Sequence, residues 1–243
     1  AVITHADFPS AIAKDIDIGE DVVNFRRASA NIMAAEKALY KGHIVAAVAA
    51  ADRNTALEAA KQIKVDYEPL PVVLDVDAAV APGAPILLED LVGDDLGEKV
   101  QNTNVARHFR HEFGEPEKAF AKCSLIVERE YSLAMVHQGY IEPHNATAIW
   151  DAEGRITVWS STQGAFGVRS QTAGILRVDE SKIKVMPVEI GGGFGGKTVT
   201  YLAPIAAMLS RKTGRPVKLV MDRKGTFEGT GPAPGGKVRV KMG

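Results

Sequence analysis

The eight residues from Gly191 to Thr198, Gly-Gly-Gly-Phe-Gly-Gly-Lys-Thr, constrain this chain more than any other segment. Glycines at 191–193, 195 and 196 rule out a regular helix or strand, because each loses more conformational freedom on ordering than any other residue does. The segment must be a loop, set between an apolar strand-like run at 182–188 and an Ala- and Leu-rich helical pattern at 199–212. From Gly191 to Thr198 it satisfies G-x-x-x-x-G-K-[ST], the phosphate cradle of nucleotide hydrolases. Gly191, Gly193 and Gly196 also satisfy G-x-G-x-x-G, and Asp222 closes the next strand where a ribose-binding acid would stand. A third reading needs no ligand: the glycines allow a strand and a helix to pack tightly.

Position argues against both nucleotide readings. Each of those folds builds most of its sheet after the glycine loop, whereas Thr198 lies late in a chain of 243 residues. Charge removes another class. Lys plus Arg is 29 and Asp plus Glu is 30, so the basic excess of a nucleic-acid binder is missing. The one cysteine, Cys123, builds neither a disulfide framework nor a zinc or iron–sulfur site. It reads as a small buried apolar residue, in keeping with a reducing, cytoplasmic setting. No apolar run reaches the length of a membrane span, and the stretch after Ala1 lacks a signal-peptide pattern.

Along the chain, 43–50 reads as a short buried strand, and Asp52, Asn54 and Thr55 start a helix over 55–63. Lys64–Tyr67 begins another β-prone run closed by Pro69 and Pro71, which predicts a βαβ-like unit and a first domain over 1–80. Residues 81–118 carry Pro82, Gly83, Pro85 and two acidic pairs, and read as a surface linker between domains. The third region, 119–243, is more regular. Strands are predicted at 124–134, 146–150, 156–160, 182–188 and 217–221. A helix over 163–176 is capped by Ser161 or Thr162, and one over 199–212 is stopped by Gly214 and Pro216.

The segment TVWSSTQ at 157–163, the helix after it and GGGFGGK at 191–197 resemble, in order and spacing, the large subunit of the molybdenum hydroxylases. That family includes xanthine dehydrogenase, aldehyde oxidase and aerobic CO dehydrogenase. GYIEPHNATAIW at 139–150 and TGRPVKLVMDR at 213–223 resemble further segments of its molybdopterin-binding domain. ITHADFP at 3–9, the strand from Gly42 to Val48 and VDYEPLPVV at 65–73 resemble its α/β hammerhead domain. The resemblance implies an α+β fold: a partial hammerhead domain followed by a mixed α+β portion of the molybdopterin-binding domain.

Residue by residue, the resemblance implies that Gln163, Gly193, Phe194 and Gly195 contact the cofactor. Gln163 would hydrogen-bond an oxygen of the metal or the pterin, and an amide suits that because it donates and accepts while neutral. Lys197 is read as a structural or solvated lysine or as a cofactor contact. Glu142 is read as ordering a strand or loop. Thr198 departs from the glutamate of purine-hydroxylating relatives and so disfavours a purine. His137 and His144 lack a third partner for a metal. The family's general-base glutamate is expected outside this chain, so no catalytic residue is assigned within it and the chain is expected to be an inactive piece of a longer subunit. The cofactor implied is molybdopterin, with its cytosine dinucleotide form left open. FAD and [2Fe-2S] are expected on partner subunits or domains. The reaction implied is hydroxylation of an aldehyde or heteroaromatic carbon with oxygen from water.

Overall fold

The computed structural model describes residues 1–10, 15–17 and 22–243. They form two compact units, one of residues 1–65 and 137–232, the other of 66–136 and 233–243. The first unit opens with β1 (Val2–Thr4), β2 (Asp15–Asp17), β3 (Val22–Asn24), α1 (Phe25–Ile32), β4 (Ala46–Val48) and α2 (Arg53–Lys61). The second unit follows with α3 (Val76–Val80), β5 (Gly93–Asp95), β6 (Glu98–Val100), β7 (Arg107–His108), α4 (Pro116–Phe120) and β8 (Val127–Leu133). The chain returns to the first unit for β9 (Asn145–Trp150), β10 (Ile156–Ser160), α5 (Ala165–Leu176), β11 (Ile183–Pro187), α6 (Ala203–Thr213), β12 (Val217–Val220) and α7 (Arg223–Gly229). It ends in the second unit with β13 (Gly236–Met242).

The first unit is built on a four-stranded sheet in the order β11-β10-β9-β12. β10 runs parallel to β11 (Ile156 opposite Ile183) and antiparallel to β9, which in turn pairs antiparallel with β12. Residues of β9 and β10 alternate in burial, and Ala146 and Ala148 lie opposite Ser160 and Val158 on the buried face. Two alanines on β9 let α6 approach closely, and Ala203 to Ser210 are all buried there. Full burial of Ile205 and Leu209 stabilises this packing by roughly 1.5–3 kcal/mol each. Ser210 fastens the helix to the sheet: its hydroxyl accepts from Trp150 N at 2.9 Å and donates to Arg215 O at 2.7 Å.

Several expectations are corrected. β4 pairs with β1 in antiparallel register, Val2 opposite Val48, and Lys64–Tyr67 is exposed and forms no strand, so the βαβ-like unit is absent. The reason is composition: Pro69 and Pro71 remove ladder donors from the run's continuation, while the short β1 is already aligned beside β4. Residues 81–118 are more than a plain connection. They hold the three-stranded sheet β6-β5-β7, and Asn104 ties it to the preceding helix by donating to Ala79 O and Pro85 O. α5 is capped by neither Ser161 nor Thr162. Its N-cap is Gly164, whose N–H donates to Thr162 Oγ1. α6 starts at Ala203 rather than 199, because Pro204 fits the first turn, whereas an earlier start would set its ring against the carbonyl four residues back. Cys123 is half-buried, its thiol 3.3 Å from Ala119 O. The second unit's other element is an antiparallel ribbon of β8 and β13, Val127 opposite Met242. Among the described residues no helix is long and apolar enough to cross a membrane.

Candidate functional site

The parallel pair β10 and β11 ends at Ser160 and Pro187, and the chain beyond each end carries one half of the site. After β10 come Ser161, Thr162 and Gln163; after β11 comes the glycine loop. The two are sewn together at Lys197. Gln163 N donates to Lys197 O at 3.0 Å, Thr162 Oγ1 donates to the same carbonyl, and Lys197 N donates back to Gln163 Oε1 at 3.1 Å. Gly195 N also donates to Gln163 Oε1, at 3.0 Å. With its carbonyl oxygen accepting from two loop amides, the exposed Gln163 side chain turns its NH₂ group away from the loop, where it has no partner among the described residues.

The loop is shaped by what it touches. A Cβ on Gly193 would run into the Gln163 amide, with Cδ at 2.7 Å, and a Cβ on Gly191 would meet Glu142 Cβ at 2.6 Å. Phe194, at the crest, has φ of 50° and is 73% exposed. A bulky residue in the left-handed region costs about 1–2 kcal/mol, and such strain gathers at binding sites. The N–H groups of Gly192, Gly193 and Phe194 have no acceptor among the described residues. Gly193 is buried, Gly192 half-buried and Phe194 exposed, so the amides of 192 and 194 are the accessible donors of the three.

Below the crest lies an ion pair whose lysine is buried and whose carboxylate is 25% exposed. Lys197 has no exposed side-chain surface, and its Nζ is 2.8 Å from Glu142 Oε2 and 4.9 Å from the centre of the Tyr140 ring. Glu142 Oε2 also accepts from Gly191 N at 2.7 Å, and Oε1 accepts from Asn145 Nδ2 at 3.0 Å. Burial works to raise the Glu142 carboxyl, but hydrogen bonds from Lys197, Gly191 and Asn145 outweigh it and hold the group below its usual range. A solvated Lys197 is thereby excluded, and Glu142 orders the loop as expected. Tyr140, which carries no signal in the sequence, is fully buried and bridges from this pair to His144, its Oη 2.7 Å from His144 Nε2. Burial, reinforced by the Lys197 charge, pulls the His144 pKa down to about 4. His137 is engaged elsewhere, 3.0 Å from Thr230 Oγ1.

This geometry does not fit a phosphate-cradling nucleotide loop. There the lysine and the following Ser/Thr sit at a helix N-terminus and face the phosphates. Here α6 begins only at Ala203, Lys197 is buried against Glu142, and the Thr198 hydroxyl donates to Gly195 O within the loop. The strand before the loop, β11, is moreover an edge strand.

Comparison with known proteins agrees with the geometry. Residues 97–243 match the family described as molybdopterin cofactor-binding domain. Residues 1–71 match the a/b hammerhead domain of aldehyde oxidase and xanthine dehydrogenase. The chain is 35% identical over 197 residues to the carbon monoxide dehydrogenase large chain of Afipia carboxidovorans, covering 79% of this chain and 24% of that one. It is 31% identical over 183 residues to the nicotinate dehydrogenase large molybdopterin subunit of Eubacterium barkeri, covering 75% and 40% respectively. Among solved structures, the Cu,Mo-CO dehydrogenase in its carbon monoxide reduced state superposes with a TM-score of 0.72 at 33% identity, over 93% of this chain and 28% of that one. The chain thus spans less than half the length of the curated relatives it matches, 24% of one and 40% of the other.

Proposed function

The chain belongs to the molybdopterin cofactor-binding domain family, and on that premise we propose that Gln163, Gly193, Phe194 and Gly195 form one wall of a molybdopterin site in a molybdenum-dependent hydroxylase. The observation that carries this reading is the pinning of Gln163 Oε1 by Gly195 N and Lys197 N at an exposed loop crest. It leaves the Gln163 NH₂ and the amides of half-buried Gly192 and exposed Phe194 without an acceptor among the described residues, donors that would suit a cofactor rich in anionic and oxygen acceptor groups. The lack of space for a Cβ at Gly193 keeps backbone, not side chain, at the contact.

When bound, molybdopterin supplies two-electron redox chemistry for hydroxylation of a carbon centre with oxygen from water. The chain's own residues do the holding. Gln163 would donate a neutral hydrogen bond to the cofactor, the amides of Gly192 and Phe194 would orient it, with Gly193 leaving room for the close approach, and the exposed Phe194 ring would cover one side. The substrate class is an aldehyde or a heteroaromatic ring. Thr198, in place of an acid, favours a non-purine. Partner subunits or domains would carry FAD and [2Fe-2S] as electron acceptors, and the enzyme would be cytoplasmic. We place the hammerhead portion within residues 1–80 and the cofactor-binding portion over 119–243, assignments that the family matches over 1–71 and 97–243 support.

The test is Gln163→Ala in the full-length protein. Turnover should fall by about tenfold or more, the equivalent of one lost hydrogen bond to a charged group, and by more than the loss of two loop hydrogen bonds to Gln163 Oε1 lowers stability. Unchanged turnover at equal molybdenum content would remove Gln163 from the site.

A further inference from the structure

We propose that Glu142 and Lys197 are positioning residues, whose ion pair closes the neck of the glycine loop and so fixes the arrangement of the donors at its crest. The inference rests on the reading of the crest as a cofactor wall, but the geometry behind it is independent of any cofactor. Gly191 is held twice by one residue: its N–H donates to Glu142 Oε2, and its carbonyl accepts from Glu142 N at 3.2 Å. Lys197 is held twice by Gln163 through its backbone, and its ammonium then reaches under the loop to that same Glu142 Oε2 at 2.8 Å. One carboxylate oxygen therefore joins the first residue of the loop to the seventh. Between them the crest is free to hold three unpartnered amides without collapsing onto them.

Stability alone does not account for a lysine here. Exchanging an ion pair withdrawn from water for apolar groups of similar volume is often neutral or stabilising, so the pair adds little to stability, and the proposal assigns it the fixing of one loop geometry instead. The surroundings are consistent with this role. The Lys197 ammonium lies over the Tyr140 ring, Tyr140 is fixed at its far end by His144 and Thr230, and Asn145 holds the second oxygen of Glu142. Asn145 also donates to Ser161 Oγ at 3.1 Å, which links the pair to the segment that carries Gln163. Through Gly191 on one side and Ser161 on the other, the pair is tied to both walls of the loop.

The experiment is amide hydrogen exchange on the full-length protein free of cofactor, comparing wild type, Lys197→Met and the double variant Glu142→Gln/Lys197→Met. Glu142→Gln alone would leave a shut-in ammonium without its counter-charge and is uninformative if it fails to fold; the double variant removes both charges together. Positioning predicts that the hydrogen-bonded amides of Gly191, Gly195, Gly196 and Lys197 exchange about tenfold faster or more in both variants, while those of α6 stay at wild-type rates. Loop amides at wild-type rates, or loop and α6 amides accelerating in step, would each overturn the proposal, the second by showing a merely structural role. Molybdenum analysis of the wild-type protein is run alongside. A wild type without molybdenum but with the predicted exchange pattern would sink the cofactor reading and leave the positioning role intact.

Discussion

Gln163 occupies the space that a side chain on Gly193 would need, its Cδ lying 2.7 Å from where that Cβ would stand. The two residues are far apart in the chain, yet no side chain fits at 193 while Gln163 stays in place. Gly193→Ala should therefore push the Gln163 amide away from Gly195 and Lys197, at the cost of the two hydrogen bonds it accepts from them, about 1 kcal/mol each. In the full-length protein this should appear as lower cofactor content and faster exchange at the Gly195 amide. A Gly193→Ala protein with wild-type content and exchange would show that the loop adapts and that the close approach is incidental.

A second outcome concerns pH. His144 titrates near 4 in the folded protein against an ordinary value of 6.5, so between those values the unfolded chain binds the extra proton. Its neutral form supports the fold fully above pH 6.5, and that support is lost as pH falls towards about 4. The loss is on the order of 3 kcal/mol. Glu142, with a lowered pKa, acts in the same direction but at more acid pH, its contribution fading only below the usual carboxylate range. Denaturant titrations of wild type and His144→Gln across this window check the sign. The wild type should lose stability on acidification from pH 6.5, and the variant should show a flatter profile until Glu142 begins to protonate. Parallel profiles would mean that His144 is not the group responsible.

The glycine loop also makes a negative prediction. Isothermal titration with magnesium and ATP or GTP should give no heat of stoichiometric binding, because Lys197 is committed to Glu142 and no helix N-terminus follows Thr198 directly. A micromolar signal abolished by Lys197→Ala would reinstate the nucleotide reading.

What is legible in the sequence, and what is not, follows the range of the forces involved. β10 is legible because Ile156, Val158 and Ser160 alternate with partly exposed Thr157 and Trp159, a local pattern of period two. The end of α6 is legible because Gly214 takes the left-handed conformation that its type favours. The start of α6 departs from the Ala- and Leu-rich pattern because Pro204 sets it, and a proline outweighs propensity at a helix entrance. β1 is out of reach, since three residues carry no periodicity and the partner, β4, is distant in the chain. The pairing of Glu142 with Lys197 depends on how loops beyond β10 and β11 meet the segment before β9, and no spacing rule supplies that. Tyr140 is hidden for the same reason. Its neighbours Glu142 and His144 draw notice as titratable residues, whereas a buried aromatic announces itself only through packing.

The central claim is that this chain contributes a wall of a molybdopterin site, and elemental analysis of the full-length protein tests it most directly. The protein is expressed with molybdate and with the proposed partner subunits, and the extracted cofactor is assayed for pterin and for cytosine nucleotide. The account predicts molybdenum and pterin approaching one per large subunit, lowered together in Gly193→Ala and retained in a variant of the exposed second-unit residue Phe113. Wild-type protein that is folded, assembled and supplied with molybdate, yet holds neither molybdenum nor pterin, would contradict it.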